Sequence, residues 1–185
     1  MTSSETPLTA DLVWNTPPAD LVLLNEKKLR AMGVADAAVR AFAGNRAFIL
    51  SLQTALVVGL ERLLGTAGRA DVAALAATLA SEDEARFLVW TLQVLDRYQS
   101  SVGPVTAIRV LGRTLVARVP GGGLVVPAGV DYVAWTPSVA EFAQRAELQA
   151  VKDRAVWLSG RVSERARREL TALGWTVKDD VLPMK

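Results

Sequence analysis

A basic segment near the end of the chain carries residue types that bind anions. Residues 157–175 read WLSGRVSERARRELTALGW, in which a Gly-x-x-Ser turn leads into an arginine-rich helix. The first amides of a helix point towards a bound anion, and guanidinium groups add charge-assisted hydrogen bonds. The sequence therefore predicts a candidate anion site at the start of this helix. The site consists of Arg161, Ser163, Arg165 and Arg168.

The same segment has residues that a helix needs for folding alone. Ser163 is predicted to be its N-cap and Gly174 its C-cap. Glu164 lies four residues before Arg168, in the order that favours an ion pair on a helix surface. Residues 151–185 carry eight basic and five acidic side chains, and this net charge of +3 is small for a nucleic-acid interface. Nucleic-acid or anion binding through residues 163–173, with Arg167 as a further contact, is therefore the alternative hypothesis.

A second candidate is an acid within a β-rich stretch. Residues 129–136 read GVDYVAWT, and strand alternation places Asp131 on the same side as Val133 and Trp135. This pattern predicts a buried carboxylate, which would need a cationic partner. A structural ion pair, or an acid at the start of a loop, is favoured over a catalytic acid. The candidate partners are Arg109, Arg113 and Arg118.

Two absences exclude most catalytic chemistry. The chain has no Cys, which excludes disulfides, thiolate nucleophiles and cysteine zinc sites. It also has no His, which removes the usual general base near neutral pH and imidazole metal ligands. Catalysis would depend on carboxylates, Lys, Tyr or Ser, so a carboxylate-dependent enzyme centred on Asp131 is the third hypothesis. No cofactor and no metal are expected.

Two further motifs are interpreted as structural. The sequence SEDE at residues 81–84 clusters three carboxylates, but Ser81 and Glu84 have the spacing of a capping box at a helix start. The sequence PGGGL at residues 120–124 leads into the apolar residues LVV, whereas a phosphate-binding loop leads into a helix. We therefore expect a helix start at the first motif and a turn between strands at the second.

Helical periodicity dominates the first half of the chain. It predicts helices over residues 21–32, 35–43, 47–64, 71–79 and 81–98, with Asn45 as the cap of the third. The apolar tract of residues 47–60 is too short to span a bilayer and is interpreted as a buried helix. Over about residues 47–99, these short helices with tight turns loosely resemble helical hairpins of the HEAT type. No functional residue follows from that resemblance.

After Gly103 the hydrophobic period changes to two, and turns and short strands follow. Residues 105–126 predict an antiparallel meander, and Thr136 with Pro137 predicts a helix start. Residues 155–177 predict a strand, a helix and a second strand parallel to the first. The predicted fold class is α+β, with a helical half packed with a mixed sheet that carries two helices. The predicted domains are a flexible arm over residues 1–18, a helical domain over 19–100 and an α+β domain over 104–185.

Composition places the chain among globular proteins without favouring a polyanionic partner. Hydrophobic residues make up 51% of it and the formal net charge is only +2. No secretory signal and no transmembrane segment is recognised, so a soluble protein is expected, cytoplasmic or a mature exported fragment. The favoured function is a non-catalytic protein-interaction or scaffold domain, whose partner is another protein or a second copy of the chain.

Overall fold

The structure is a computed structural model that describes residues 7–182. The chain divides into two compact units. The first contains the residues up to Leu64 together with Gly68–Val89, and the second contains Gly65–Ala67 together with the residues from Trp90 onwards. The division falls inside one long helix, and the domain limits suggested by the sequence stay a prediction.

The first unit is built from helices. Residues 1–18 are the segment predicted as a flexible arm. Residues 7–15 of this segment form α1, and residues 1–6 lie outside the described residues. The long helix α6 begins where the capping box predicts, and its residues up to Val89 belong to this unit. The helices are α1 (Pro7–Asn15), α2 (Pro18–Ala31), α3 (Asp36–Ala43), α4 (Leu50–Arg62), α5 (Arg69–Ala76) and α6 (Glu82–Ser101).

Asn45 does not cap α4 as predicted, and α4 begins later, at Leu50. The Asn45 side-chain amide donates to the backbone oxygens of Ala76 and Leu79, each at 3.0 Å. Its oxygen accepts from the Ala47 amide at 2.9 Å. Asn45 therefore holds the end of α5 and a local turn. A local sequence pattern could not predict the contact with α5, because Ala76 and Leu79 lie 31 and 34 residues away.

The apolar tract of residues 47–60 lies largely in α4, whose inner face is buried as predicted, whereas Ile49 just before the helix is 49% exposed. Leu56, Val57 and Leu60 are completely inaccessible to solvent. The buried polar side chains of Asn25 and Thr54 bond to each other at 2.9 Å, which offsets the cost of removing them from water. Within residues 7–182, no helix combines the length and apolarity needed to cross a membrane.

The second unit contains a mixed five-stranded sheet, and the predicted α+β class is confirmed. The first three strands form the predicted antiparallel meander, and the last two add in parallel. The sheet order is β1 (Ala107–Leu111), β2 (Thr114–Arg118), β3 (Leu124–Ala128), β5 (Arg154–Leu158) and β7 (Thr176–Lys178). A separate parallel pair consists of β4 (Tyr132–Val133) and β6 (Arg161–Val162). The helices are α7 (Pro137–Ala143), α8 (Ala146–Gln149) and α9 (Glu164–Ala172).

Successive residues of β5 point to opposite faces of this sheet. Val156 packs in an apolar cluster with residues of α7, α8 and α9. Trp157 packs edge-to-face on Tyr98 of α6, with ring centroids 4.9 Å apart. Trp175 is buried and donates its indole N–H to the Ala143 oxygen at 3.2 Å, which ties the start of β7 to the end of α7. Within this unit the sheet therefore has helices on both faces.

Candidate functional site

The start of α9 is built as the sequence predicts. Ser163 is the N-cap, and its hydroxyl accepts from the Ala166 amide at 3.1 Å. The Ser163 amide donates to the Val133 oxygen at 2.9 Å, so the cap is attached to β4. Ala166 and Leu170 face the core, which directs the charged residues of α9 to solvent. The N-cap prediction for Ser163 is confirmed.

Two arginines at this helix start face carboxylates. The Arg161 Nε lies 3.6 Å from an Asp180 carboxylate oxygen, and both side chains are exposed. Arg167 donates to Asp179 at 2.5 Å, and the same carboxylate oxygen accepts from the Val162 amide at 3.3 Å. Burial raises the pKa of Asp179, but the hydrogen bonds from Arg167 and Val162 outweigh it and hold that pKa below its ordinary value of 3.8. The first turn of α9 therefore has negative charge beside it already.

Arg165 and Arg168 lie on the exposed surface of α9. In the part of the chain that the structure describes, neither side chain makes an ion pair, and the expected pair between Glu164 and Arg168 does not form. The four predicted site residues thus share one strand-to-helix segment but differ in surroundings. Arg161 lies beside a carboxylate, Ser163 caps the helix, and the other two contact solvent.

Asp131 is exposed, so its prediction as a buried acid is wrong. The alternation argument assumed a continuous strand, but β4 begins only at Tyr132. Asp131 lies in a bend before β4, beside residues 160 and 161 of the same chain. Its backbone oxygen accepts from the Arg161 amide at 2.9 Å. None of the three candidate arginines is paired with Asp131 in the described residues. The enzyme hypothesis loses the residue on which it was built.

The two motifs interpreted as structural have the expected roles. The Ser81 hydroxyl accepts from the Glu84 amide at 3.2 Å, and the Glu84 carboxylate accepts from the Ala80 amide at 2.7 Å. Glu82 pairs with Arg86 at 2.5 Å. Among the described residues, no group of three His, Cys, Asp or Glu side chains is placed to hold a metal ion. Residues Pro120–Gly122 form a tight turn that leads directly into β3.

Sequence reasoning missed the exposed apolar side chains of the first unit. Trp14 on α1 is 82% exposed and Leu23 on α2 is 64% exposed. Leu64, in the turn after α4, is 82% exposed. From the sequence, Trp14 falls within the predicted flexible arm of residues 1–18. On a helical wheel of α2, Leu23 lies opposite the buried residues Leu21, Asn25 and Leu29, and this is the signal that points to it.

Sequence reasoning also missed a basic β-hairpin in the second unit. The hairpin of β1 and β2, here called the arginine hairpin, carries Arg109, Arg113 and Arg118. All three are exposed. The signal available in the sequence is the absence of any Asp or Glu from residue 97 to residue 130. Comparison of the chain with protein-family models, with curated proteins and with solved structures finds no match.

Proposed function

We propose that this chain is a non-catalytic protein-interaction domain that binds through its helical unit. The observation that carries the proposal is the exposure of Trp14 and Leu23, at 82% and 64%. Tryptophan is enriched among residues that dominate binding energy at protein interfaces, because its large apolar area gains most when water is removed. A single exposed leucine is ordinary on a protein surface, whereas an exposed tryptophan on a helix is not.

The chemistry of the remaining candidates also favours binding over catalysis. The chain lacks the two side chains most often used as bases and nucleophiles near neutral pH, and Asp131 is exposed. The acids at the start of α6 are used in capping and in an ion pair with Arg86. These side chains therefore have structural explanations that need no substrate.

The test is the double variant Trp14→Ser, Leu23→Ser, compared with wild type. Leu64→Ser is the matched control, because Leu64 is equally apolar and 82% exposed but lies in a turn. We expect the double variant to weaken binding to the physiological partner by about 2 kcal/mol or more, which is roughly thirtyfold in Kd. Sedimentation velocity measures self-association. Titration calorimetry measures the Kd for a partner protein that wild type captures in a pull-down.

Two results would overturn this proposal. In the first, wild type sediments as a monomer and captures no protein that the double variant loses. In the second, Leu64→Ser weakens binding as much as the double variant does, which assigns the loss to general surface polarity. Circular dichroism of both variants checks that the helices are retained.

Anion or nucleic-acid binding by α9 is the second candidate. It is favoured by the exposure of Arg165 and Arg168 without an ion pair in the described residues. It is disfavoured by the carboxylates of Asp179 and Asp180 next to Arg167 and Arg161. An incoming anion would meet this negative charge at the helix start. The double variant Arg165→Glu, Arg168→Glu separates this candidate from the others, because both changed side chains are exposed charges of α9.

A further inference from the structure

The positive charge of the second unit is concentrated in one segment. From Trp90 to Lys185 there are thirteen basic and nine acidic residues. Four of the basic residues, and none of the acidic ones, lie between residues 97 and 130. The unit's entire excess of positive charge therefore comes from this segment. Its basic residues are Arg97, Arg109, Arg113 and Arg118.

The arginine hairpin presents two of these side chains on one face. Arg109 lies opposite Val116, and Arg118 lies opposite Ala107. Because side chains alternate along a strand, residues two apart share a face, so Arg109 and Arg118 are diagonal neighbours about 7–8 Å apart. Both are exposed, and neither side chain pairs with another residue in the part of the chain that the structure describes.

The backbone beneath these arginines is held firmly. Ile108, Leu115 and Ala117 point to the opposite face of the hairpin and are buried. The outer edge of β1 is bonded to a further segment, since the Ile108 amide donates to the Ala67 oxygen at 2.8 Å. Little ordering of the backbone is therefore needed when a ligand binds, which lowers the entropic cost of association.

We propose that the arginine hairpin binds an acidic peptide segment of a partner protein. Planar guanidinium groups bind carboxylates through paired hydrogen bonds, and arginine is favoured over lysine for this contact. The proposal rests on the proposed function of protein interaction, and it adds a second surface together with the chemistry of the segment recognised there. In the described residues, neither Arg109 nor Arg118 has a carboxylate partner that the ligand would have to displace.

The composition of the segment favours a peptide over a nucleic acid. Single-stranded nucleic acids bind surfaces that combine basic residues with aromatic side chains on which bases stack. Between Tyr98 and Tyr132 the sequence has no aromatic residue. Duplex binders commonly neutralise about six to ten phosphates, whereas this face of the hairpin offers two arginines, Arg109 and Arg118. A short acidic peptide matches the smaller number of charges.

The experiment measures the fluorescence anisotropy of a labelled hexaglutamate peptide with the full chain. We expect Arg109→Glu, Arg118→Glu to weaken binding at least about tenfold, because two attractive charges become repulsive. The matched control is Arg40→Glu, Arg46→Glu, which makes the same change of charge at exposed sites in the first unit. The control should change the affinity by less than about twofold. The milder variant Arg109→Gln, Arg118→Gln should weaken binding to an intermediate extent.

Four outcomes would overturn the inference. They are no binding of hexaglutamate by wild type, an equal loss in the control, a loss confined to Arg165→Glu, Arg168→Glu, and tighter binding of oligothymidylate than of hexaglutamate. Unfolding midpoints in urea show that each variant is folded. Because the Trp14 and Leu23 test uses other residues, its result distinguishes failure of this inference from failure of the proposed function.

Discussion

The Arg154 side chain makes several hydrogen bonds within the second unit, and their acceptors are uncharged. Its guanidinium donates to the Val151 oxygen at 2.5 Å, to the Gln149 side-chain oxygen at 2.7 Å and to the Leu173 oxygen. It also lies 5.7 Å from the centre of the Trp175 ring. The backbone oxygens of Val151 and Leu173 lie just beyond the ends of α8 and α9, where helix dipoles are negative. One positive charge thus stabilises two helix ends.

At this residue we predict a large loss of stability on truncation. Arg154→Met should lower the free energy of unfolding by about 2 kcal/mol, because several partly buried carbonyls lose their donors. Arg154→Lys should recover little, since an ammonium group cannot reach acceptors in several directions. Urea unfolding followed by circular dichroism measures both variants. A change of less than about 0.5 kcal/mol in Arg154→Met would contradict this role.

Single residues were predicted well from the sequence where their partners are local. Ser163 and Thr136 are predicted to cap the helices that follow them, and both caps are observed. Each hydroxyl accepts from the amide three residues further along the chain. Asn45 and Arg154 were not recognised, because their partners lie up to 34 and 19 residues away. Asp131 was predicted wrongly because alternation was applied to a residue outside a strand.

At the scale of elements, two chain segments run side by side through a bend. The strands β3 and β5 pair in parallel, and β4 and β6 continue as a second parallel pair. Between the pairs, the Gly160 amide donates to the Val130 oxygen at 2.8 Å. A Cβ atom on Gly160 would lie 2.1 Å from the Asp131 oxygen. The bend that positions the start of α9 therefore requires glycine at residue 160.

We predict that Gly160→Ala destabilises this bend and Gly103→Ala does not. The added methyl group in Gly160→Ala must displace the backbone at Asp131, which we expect to cost about 1–3 kcal/mol. At Gly103 no atom lies within 4 Å of the added carbon, so the control should stay within about 0.5 kcal/mol of wild type. Urea unfolding measures both. Equal stability of the two variants would show that the backbone at Asp131 yields easily.

At the scale of the whole molecule, the composition determines how stability responds to pH. Histidine is the side chain whose ordinary pKa lies near neutrality, and the chain has none. The pKa of Asp179 is lowered in the folded protein, and that of Asp36 is lowered by hydrogen bonds and charge from Arg30. Acid therefore affects folding mainly through carboxylates, well below neutral pH.

We expect stability to be nearly constant between about pH 5 and pH 7 and to fall below about pH 4. A carboxylate whose pKa is lower in the folded than in the unfolded chain stabilises the fold above the unfolded value. That contribution disappears as the pH falls through the folded value. Asp179→Asn should reduce the loss of stability below about pH 4 by a measurable amount of up to about 1 kcal/mol, because the side chains of Arg167 and Asp179 are partly exposed. Urea titrations across this range measure it, and an unchanged acid limb in Asp179→Asn would contradict it.

The sequence by itself determined the α+β class, the helix starts marked by Ser81, Thr136 and Ser163, the meander and the parallel strand, helix, strand unit. These follow from hydrophobic period, capping residues and turns, which act over a few neighbouring residues. Only the tertiary structure decided that Asp131 is exposed, that Arg161 and Arg167 face carboxylates, and that Trp14 is left in solvent. Burial and charge pairing depend on which distant segments meet, and local patterns carry no information about that distance.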